Sequence, residues 1–568
     1  MRPPAYDGWT NERLIEEVKK LKKRKKYGIV WEHKPEDVVE QCKRELPVLK
    51  EVKSKEVITD PTAPVNLLIE GDNYHALSVL NYTHKGKISV IYLDPPFNTG
   101  SRDWKYNNDY VDSNDSFRHS KWLSMMSNRL RLARNLLSEK GVIYIAIDHY
   151  ELFSLGLLCD EIFGEANRLG VITVVHKPEG RQFANFFSPS KEFMMVYAKD
   201  KNKAHLNEIA LDEEQKDRFS EQDEHGSYRL KNFIRLTDGK YSLRENAPDG
   251  FYPIYVSKNL KNFSLKQTNG YKAVFPITDR GIERTWKTLG DTFMKKVEEG
   301  NIIAKEEGNK LVLYEKLRED QVIKTHWIRK EYHSYHFGTK ILEGILGPKK
   351  FDFPKSLNLI VDILKLSTSD NSIVLDFFAG SGTTGHAVLE LNKQDEGNRQ
   401  FILVTNNENK IAEEITYERV KRVMRGYKNL NTGEKIAGLG GSLAYYKTSF
   451  VGAEPTDANK EALTAKATEM LCVREGTFEL VKTTKTYKIF RSAIRHTGII
   501  FDPLALPQFR KELIRIKGSW SVYVFSLGDD TFDEEFADFG QRVKVSPVPE
   551  AILRVYRRIF SSDNNYGA

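Results

Sequence analysis

Two stretches of the chain alternate short apolar runs with amphipathic ones. The first spans residues 65–198 and the second residues 373–427. Residues 66–70 predict a strand, Gly71-Asp72-Asn73 a turn, and Tyr74 onward a helix. Residues 88–93, 141–147, 171–175, 193–198, 373–376 and 399–405 predict further strands, and 122–138 and 411–427 helices. Strand and helix alternating at this spacing predict a doubly wound, mainly parallel α/β sheet. Ahead of it, residues 1–60 predict a helical segment. Leu14, Val18 and Leu21 keep helical spacing, and residues 35–49 read as another helix with Val38, Val39 and Cys42 on one side. Residues 98–120 read as a long polar loop, of the kind that more often carries function than not. Asp148 and Glu151 have the spacing of a helix-capping pair.

The rhythm stops at about Lys199 and resumes at Ile373. Between them lie short strand-like pieces in which Arg280, Arg284 and Trp286 belong to a series of basic and aromatic residues. Such interleaving suits phosphates and bases, while an ordinary α+β insertion is the plainer reading. The domain division is therefore 1–60, a helical segment; 61–199, the first half of the core; 200–350, an insertion; 351–430, the second half of the core; and 431–568, a C-terminal α/β extension.

Charge and cysteine content change this picture little. A net charge of +8 over 568 residues is compatible with a polyanionic partner without requiring one. The dense basic run Lys19–Lys26 is expected to be a solvated helix face. Three scattered cysteines form neither a disulfide framework nor a metal-ligand spacing, so no metal is expected. No apolar run has membrane-spanning length and the first residues lack a signal-peptide core, so a cytoplasmic setting with no membrane contact is expected.

Two motifs carry chemistry. The strand at residues 88–93 ends in Asp94-Pro95-Pro96-Phe97, where two prolines stop a strand because neither donates a ladder hydrogen bond. In an open α/β sheet that end is where ligands bind. The turn offers a carboxylate, a rigid carbonyl-bearing backbone and an aromatic ring, which together suit an exocyclic amino group on a flat base. The second motif is Asp376-Phe377-Phe378-Ala379-Gly380-Ser381-Gly382-Thr383-Thr384-Gly385, which follows a strand and opens a helix. Glycines at such a turn allow close backbone approach to a ligand. Read literally, Gly380, Gly382 and Gly385 form GxGxxG, which leaves a nicotinamide or flavin site open.

Asp94-Pro95-Pro96-Phe97 resembles the catalytic motif of DNA amino-methyltransferases, and the Asp-x-Phe-x-Gly-x-Gly pattern is similar to their S-adenosylmethionine loop. Catalytic motif first, cofactor motif second, with an insertion between, is the layout of the β group, including the methylation subunits of type III restriction-modification systems. Blocks at 68–73, 141–148, 191–199, 353–356 and 441–448 look like family blocks too, so the resemblance covers roughly residues 10–450. It implies a Rossmann-like methyltransferase sheet with an inserted target-recognition domain. It implies transfer of a methyl group from S-adenosyl-L-methionine to the N6 of an adenine flipped out of double-stranded DNA. Phe97 would stack on the base, and Asp94 and the Pro95 carbonyl would accept the amino hydrogens. Asp376, Phe378, Gly380, Gly382 and Thr383 would hold the cofactor. Asp72 would meet its adenine, Asn406 or Glu408 its ribose, and Lys355 would lie in the block before the loop. Asp at position 94 points by family pattern to adenine N6 over cytosine N4. Phe97 stands where tyrosine is commoner, which stacking tolerates. The resemblance also implies a homodimer and a helicase-nuclease restriction partner. The competing readings are a non-catalytic DNA-recognition subunit on the same fold, a cytosine-N4 enzyme, and an oxidoreductase.

Overall fold

The computed structural model describes residues 9–22, 28–180, 186–207, 220–224, 226–236, 239–308, 310–318, 324–493, 495–528 and 530–562. The solvated face expected of Lys19–Lys26 falls outside the described residues. The chain divides into two compact units: residues 1–207 with 324–568, and residues 208–323.

The first unit is built on an eleven-stranded sheet. Its order is Glu45–Glu51, Ser442–Gly452, Val65–Glu70, Gln400–Thr405, Ile373–Asp376, Ile88–Leu93, Leu137–Ile147, Lys191–Ala198, Arg168–Val175 and His326–Trp327, with Val57–Ile58 paired to the second of these. The five strands from Val65–Glu70 to Leu137–Ile147 run parallel. Their residues are buried almost throughout, as parallel strands covered on both faces must be. Asp72, Asn406, Asp376 and Asp94 all follow or close the carboxyl ends of these strands, so one edge of the sheet collects them. The strand ending at Asp376 lies directly beside the strand leading to Asp94, pairing Val374 with Val90 and Leu375 with Ile91.

Three stretches differ from expectation. Residues 35–49 are not one helix: Asp37–Cys42 is helical, but Glu45–Glu51 is an edge strand. Val48 and Leu49 are buried in the main core, and Pro47 is tolerated because an edge strand pairs on one side only. Residues 98–120 contain a hairpin, Ser101–Tyr106 with Asp109–Asp112. Its turn is Asn107-Asn108, both at positive φ, which suits a two-residue hairpin turn. Trp104, Tyr106 and Val111 are its buried residues. The helix Leu152–Cys159 has Glu151 at its N-cap with no side-chain cap bond, and Asp148 accepts from the Tyr150 N–H two residues on. Glu151 is fully buried and spends its carboxylate elsewhere, as described below.

Residues after 443 contribute the long strand of the large sheet and then a separate five-stranded sheet from Glu479–Thr483 to Val543–Val548. The last helix, Glu550–Ser562, packs Ile552, Tyr556 and Ile559 into the main core.

The second unit is α+β. It has a four-stranded antiparallel sheet (Glu221–Asp223, Gly226–Asn232, Lys310–Arg318, Ile302–Glu307), a three-stranded one around Ile254–Val256, and the helix Gly290–Glu298. Phe233, Phe293 and Trp286 form its core. Residues 324–350 belong to the first unit, where His326–Trp327 joins the large sheet.

Candidate active site

The turn after Leu93 is locked from below. The Trp122 indole donates to the Pro96 carbonyl at 2.7 Å. Asn98 adopts a left-handed conformation (φ 58°), which asparagine tolerates better than most residues. Its amide donates to Glu151 at 2.5 Å and accepts from the Trp104 indole at 3.1 Å. His119 pairs with the same Glu151 carboxylate. The hairpin, the helix Arg118–Leu136 and the catalytic-motif turn are thus bound into one piece.

Asp94 is 28% exposed and meets the Lys355 ammonium at 3.0 Å. Lys355 also bonds Glu192 at 2.7 Å and sits 4.8 Å over the Phe97 ring. Glu192 opens the strand Lys191–Ala198 and is nearly buried. One ammonium therefore serves two carboxylates. Burial raises the Asp94 carboxyl above its usual range, Lys355 opposes that, and the charge of Glu192 adds to it. Lys355 in turn is raised: burial would lower it, but the two carboxylates outweigh that.

Asp376 is buried beside this cluster. It accepts from the Phe378 N–H at 3.0 Å and the Thr384 hydroxyl at 2.6 Å. Burial pushes its carboxyl up to about 7, against those two bonds and helped by the charge of Asp94. Gly380 (φ 48°) and Gly382 (φ 76°) take left-handed conformations in the turn that follows. A side chain at Gly382 would meet Thr416 at 3.2 Å, and one at Gly380 the Phe351 ring at 3.1 Å. Gly382 is thus needed for the turn itself and for room against Thr416. Gly385 lets the helix Thr383–Asp395 approach Leu403 of the next strand. Thr383 is buried and accepts from Arg419 at 2.8 Å, so its hydroxyl braces the loop. Arg419 also donates to the carbonyl and hydroxyl of Ser381. Burial lowers this guanidinium to about 9.

Asp72 caps the helix Asn73–Thr83, accepting from the Tyr74 N–H at 2.7 Å, and pairs with Arg129 at 3.2 Å. Arg129 is buried and also binds Glu36 at 2.7 Å. Asn73 donates to the Phe377 carbonyl at 3.0 Å, which fastens this turn to the glycine loop. Asn406 is exposed at its strand end, while Glu408 pairs with Lys105 of the hairpin at 2.5 Å.

The structure thus gathers Asp94, Phe97, Lys355, Phe378, Asp376 and the glycine turn at one edge, with Asp72, Asn406 and Glu408 on the neighbouring strand ends. Glu192, Arg129 and Arg419 escaped the sequence reading, since a lone charged residue next to an apolar run carries no spacing signal. Trp286 requires correction. It is 2% exposed, its ring packs 5.6 Å from Phe233 and its indole donates to the Tyr252 carbonyl. It is a core residue of the inserted unit and has no face to offer DNA. Arg280 is exposed and Arg284 half-buried.

The family described as DNA methylase matches residues 88–418. The chain is 32% identical over 424 residues to the type III restriction-modification enzyme EcoPI Mod subunit of Escherichia phage P1, covering 66% of this chain and 64% of that protein's length. It is 33% identical over 350 residues to the type II methyltransferase M.KpnI of Klebsiella pneumoniae, covering 61% of this chain and 82% of the relative. Among solved structures, the M1.HpyAVI–SAM complex overlaps at a TM-score of 0.29 and 13% identity, over 63% of this chain and 98% of that one. The PvuII DNA methyltransferase (cytosine-N4-specific) overlaps at 0.32 and 10%, over 64% and 89%. On the family match and the extent of the M.KpnI alignment, the chain belongs to the DNA methylase family.

Proposed function

We propose that this chain methylates the exocyclic N6 of an adenine flipped out of duplex DNA, using S-adenosyl-L-methionine. The observation that carries this reading is the adjacency of two acid-ended strands. Asp94, with Phe97 beside it, and Asp376, with its left-handed glycines, share one sheet edge. The residues present fit the cofactor. A buried acid suits an ammonium group, two glycines keep a backbone turn bare, and Asp72 with Asn406 or Glu408 offers acceptors for adenine and ribose. When bound, the cofactor supplies an electrophilic methyl group. The chain's own part is to hold the base. Phe97 stacks on its face, and the Asp94 carboxylate and the Pro95 carbonyl accept the two amino hydrogens. Those bonds draw the nitrogen lone pair out of conjugation with the ring, and orientation provides most of the acceleration. Extrusion of the base precedes all of this.

The adenine assignment rests on Asp at position 94, while the family covers DNA methylases in general. The insertion carries sequence recognition in this reading, through Arg280, Arg284 and their neighbours, because a pocket for one flipped base cannot tell one adenine from another. The relatives named as type III Mod subunits support a type III-like setting, and a homodimer with a helicase-nuclease partner is the assembly proposed for it. The test is methyl transfer from labelled cofactor to DNA, with sequencing of the modified base. Asp94→Ala should abolish transfer and keep cofactor binding. Methylated cytosine instead of adenine, or an active Asp94→Ala, refutes the assignment.

A further inference from the structure

Two loops at the catalytic edge expose aromatic rings that no fold requires. The strand Arg168–Val175 runs parallel to the catalytic strand, so its carboxyl end faces the same edge. The loop beyond it returns at Ser190, whose carbonyl accepts from the His176 and Lys177 N–H groups at 3.2 and 3.1 Å. On that loop Phe186 is 94% and Phe187 95% exposed. Glu192 follows five residues after Phe187, and Lys355 joins Glu192 to Asp94. Five residues span at most about 18 Å, which bounds the distance from Phe187 to Glu192 at this edge. The second loop holds Phe353, 87% exposed and two residues before Lys355. Its φ of 54° is a left-handed conformation that a bulky side chain seldom adopts. Strain kept at an exposed aromatic marks a site where something other than folding sets the residue.

Charge names the partner. Each loop presents two exposed lysines, Lys177 with Lys191 and Lys349 with Lys350, against one acid, Glu179 or Asp352, among the described residues. Aromatic rings on lysine-bearing loops at the sheet edge that holds Asp94 suit the interior of a base stack flanked by phosphates. Resting on the function proposed above, we propose that Phe186 and Phe187 form a wedge that enters duplex DNA beside the target adenine and fills the stack it vacates, with Phe353 stacking on the neighbouring base. No covalent step is involved. The rings take the adenine's place between its former neighbours in the stack, and so hold the open duplex at Asp94.

The test uses the full chain and two duplexes carrying its methylation site. In one the target adenine is paired with thymine, and in the other it faces an abasic position. On the paired duplex, Phe186→Ala/Phe187→Ala should lower single-turnover methylation by at least about tenfold, because opening is then uncompensated. On the abasic duplex the same variant should stay within about threefold of the original, because opening costs little there. Phe186→Trp/Phe187→Trp should restore the paired rate. Both side chains are exposed, so truncation leaves the core intact, and an unchanged melting temperature checks this. Equal losses on both duplexes, or no loss on either, overturn the wedge. So does a variant that methylates normally but elutes as a smaller species, which would assign the rings to a protein interface. If the unmodified chain methylates neither duplex, the function reading itself fails, a result distinct from all of these.

Discussion

Lys355→Met removes the single cation that two carboxylates share and keeps most of the volume of the side chain. The ammonium lies 3.0 Å from Asp94. At an effective dielectric of about 20 to 40, two unit charges at that distance attract by about 3 to 5.5 kcal/mol, equivalent to roughly 2 to 4 pKa units. Burial and the charge of Glu192 already raise Asp94. Without Lys355 nothing opposes them, so Asp94 titrates at least about 2 units higher. Methyl transfer that needs the ionised carboxylate is lost as pH falls through that value. The acid limb of the pH–rate profile should therefore move upward by at least about 2 units, costing tenfold per unit below it. Glu192→Gln is the counter-variant. It removes a repelling charge and leaves Lys355 to Asp94 alone, so its acid limb should move downward. Single-turnover rates between pH 5 and 9 with saturating DNA measure both. If Lys355 merely obstructs the face of Phe97, Lys355→Met would be faster at every pH with an unmoved limb, and the electrostatic reasoning would be refuted.

Asp376 has its carboxyl pushed up to about 7, above the value of an unfolded chain, so ionising it costs stability as pH rises from the unfolded value towards 7. Asp376→Asn should raise the melting temperature at pH 8 more than at pH 4, and should weaken cofactor binding at both; a larger gain at pH 4 would contradict the burial argument. Gly382→Val forces a branched side chain into a left-handed turn against Thr416, at a cost of at least about 1–2 kcal/mol, and calorimetry should show lost cofactor affinity. Unchanged affinity in a folded variant would move the cofactor elsewhere. Exchanging residues 208–323 for the equivalent unit of a relative should change the methylated sequence and keep adenine as the target, read by methylation-sensitive sequencing; retention of the original motif would shift recognition to another part of the chain.

The parallel core was legible because buried strands are continuous apolar runs with abrupt polar ends. Those same ends, at Asp94 and Asp376, carried the chemistry. The two strands that carry these ends lie side by side, pairing Val90 with Val374. The hairpin over residues 101–112 was hidden because Trp104, Tyr106 and Val111 are too few and too widely set among polar residues to declare a period. The strand Glu45–Glu51 was missed because Glu-Leu-Pro-Val-Leu continues the apolar spacing of the preceding helix, and only its partner, nearly 400 residues on, decides its state. Trp286 was misassigned because an aromatic among arginines looks alike whether it faces a nucleic acid or a core. Glu192 and Arg419 act through neighbours distant in sequence, which no local pattern records.

The order in which the sheet can be completed has a bearing on synthesis. The strand Ile88–Leu93 emerges early, yet one of its two neighbours is Ile373–Asp376, and the strand Val65–Glu70 waits for both Gln400–Thr405 and Ser442–Gly452. A ribosome therefore releases the catalytic half with one open edge on Ile88–Leu93 and two on Val65–Glu70, and must make the whole inserted unit before any of them can close. That unit has its own core and can condense first, as a knot of structure within an unfinished domain. Until residue 452 is free, the nascent chain presents the features that chaperones bind, and long-range parallel pairing of this kind closes slowly. Expression of this chain should thus depend more on elongation rate and chaperone supply than its final stability suggests, with aggregation arising from the stretch that later forms the catalytic strand.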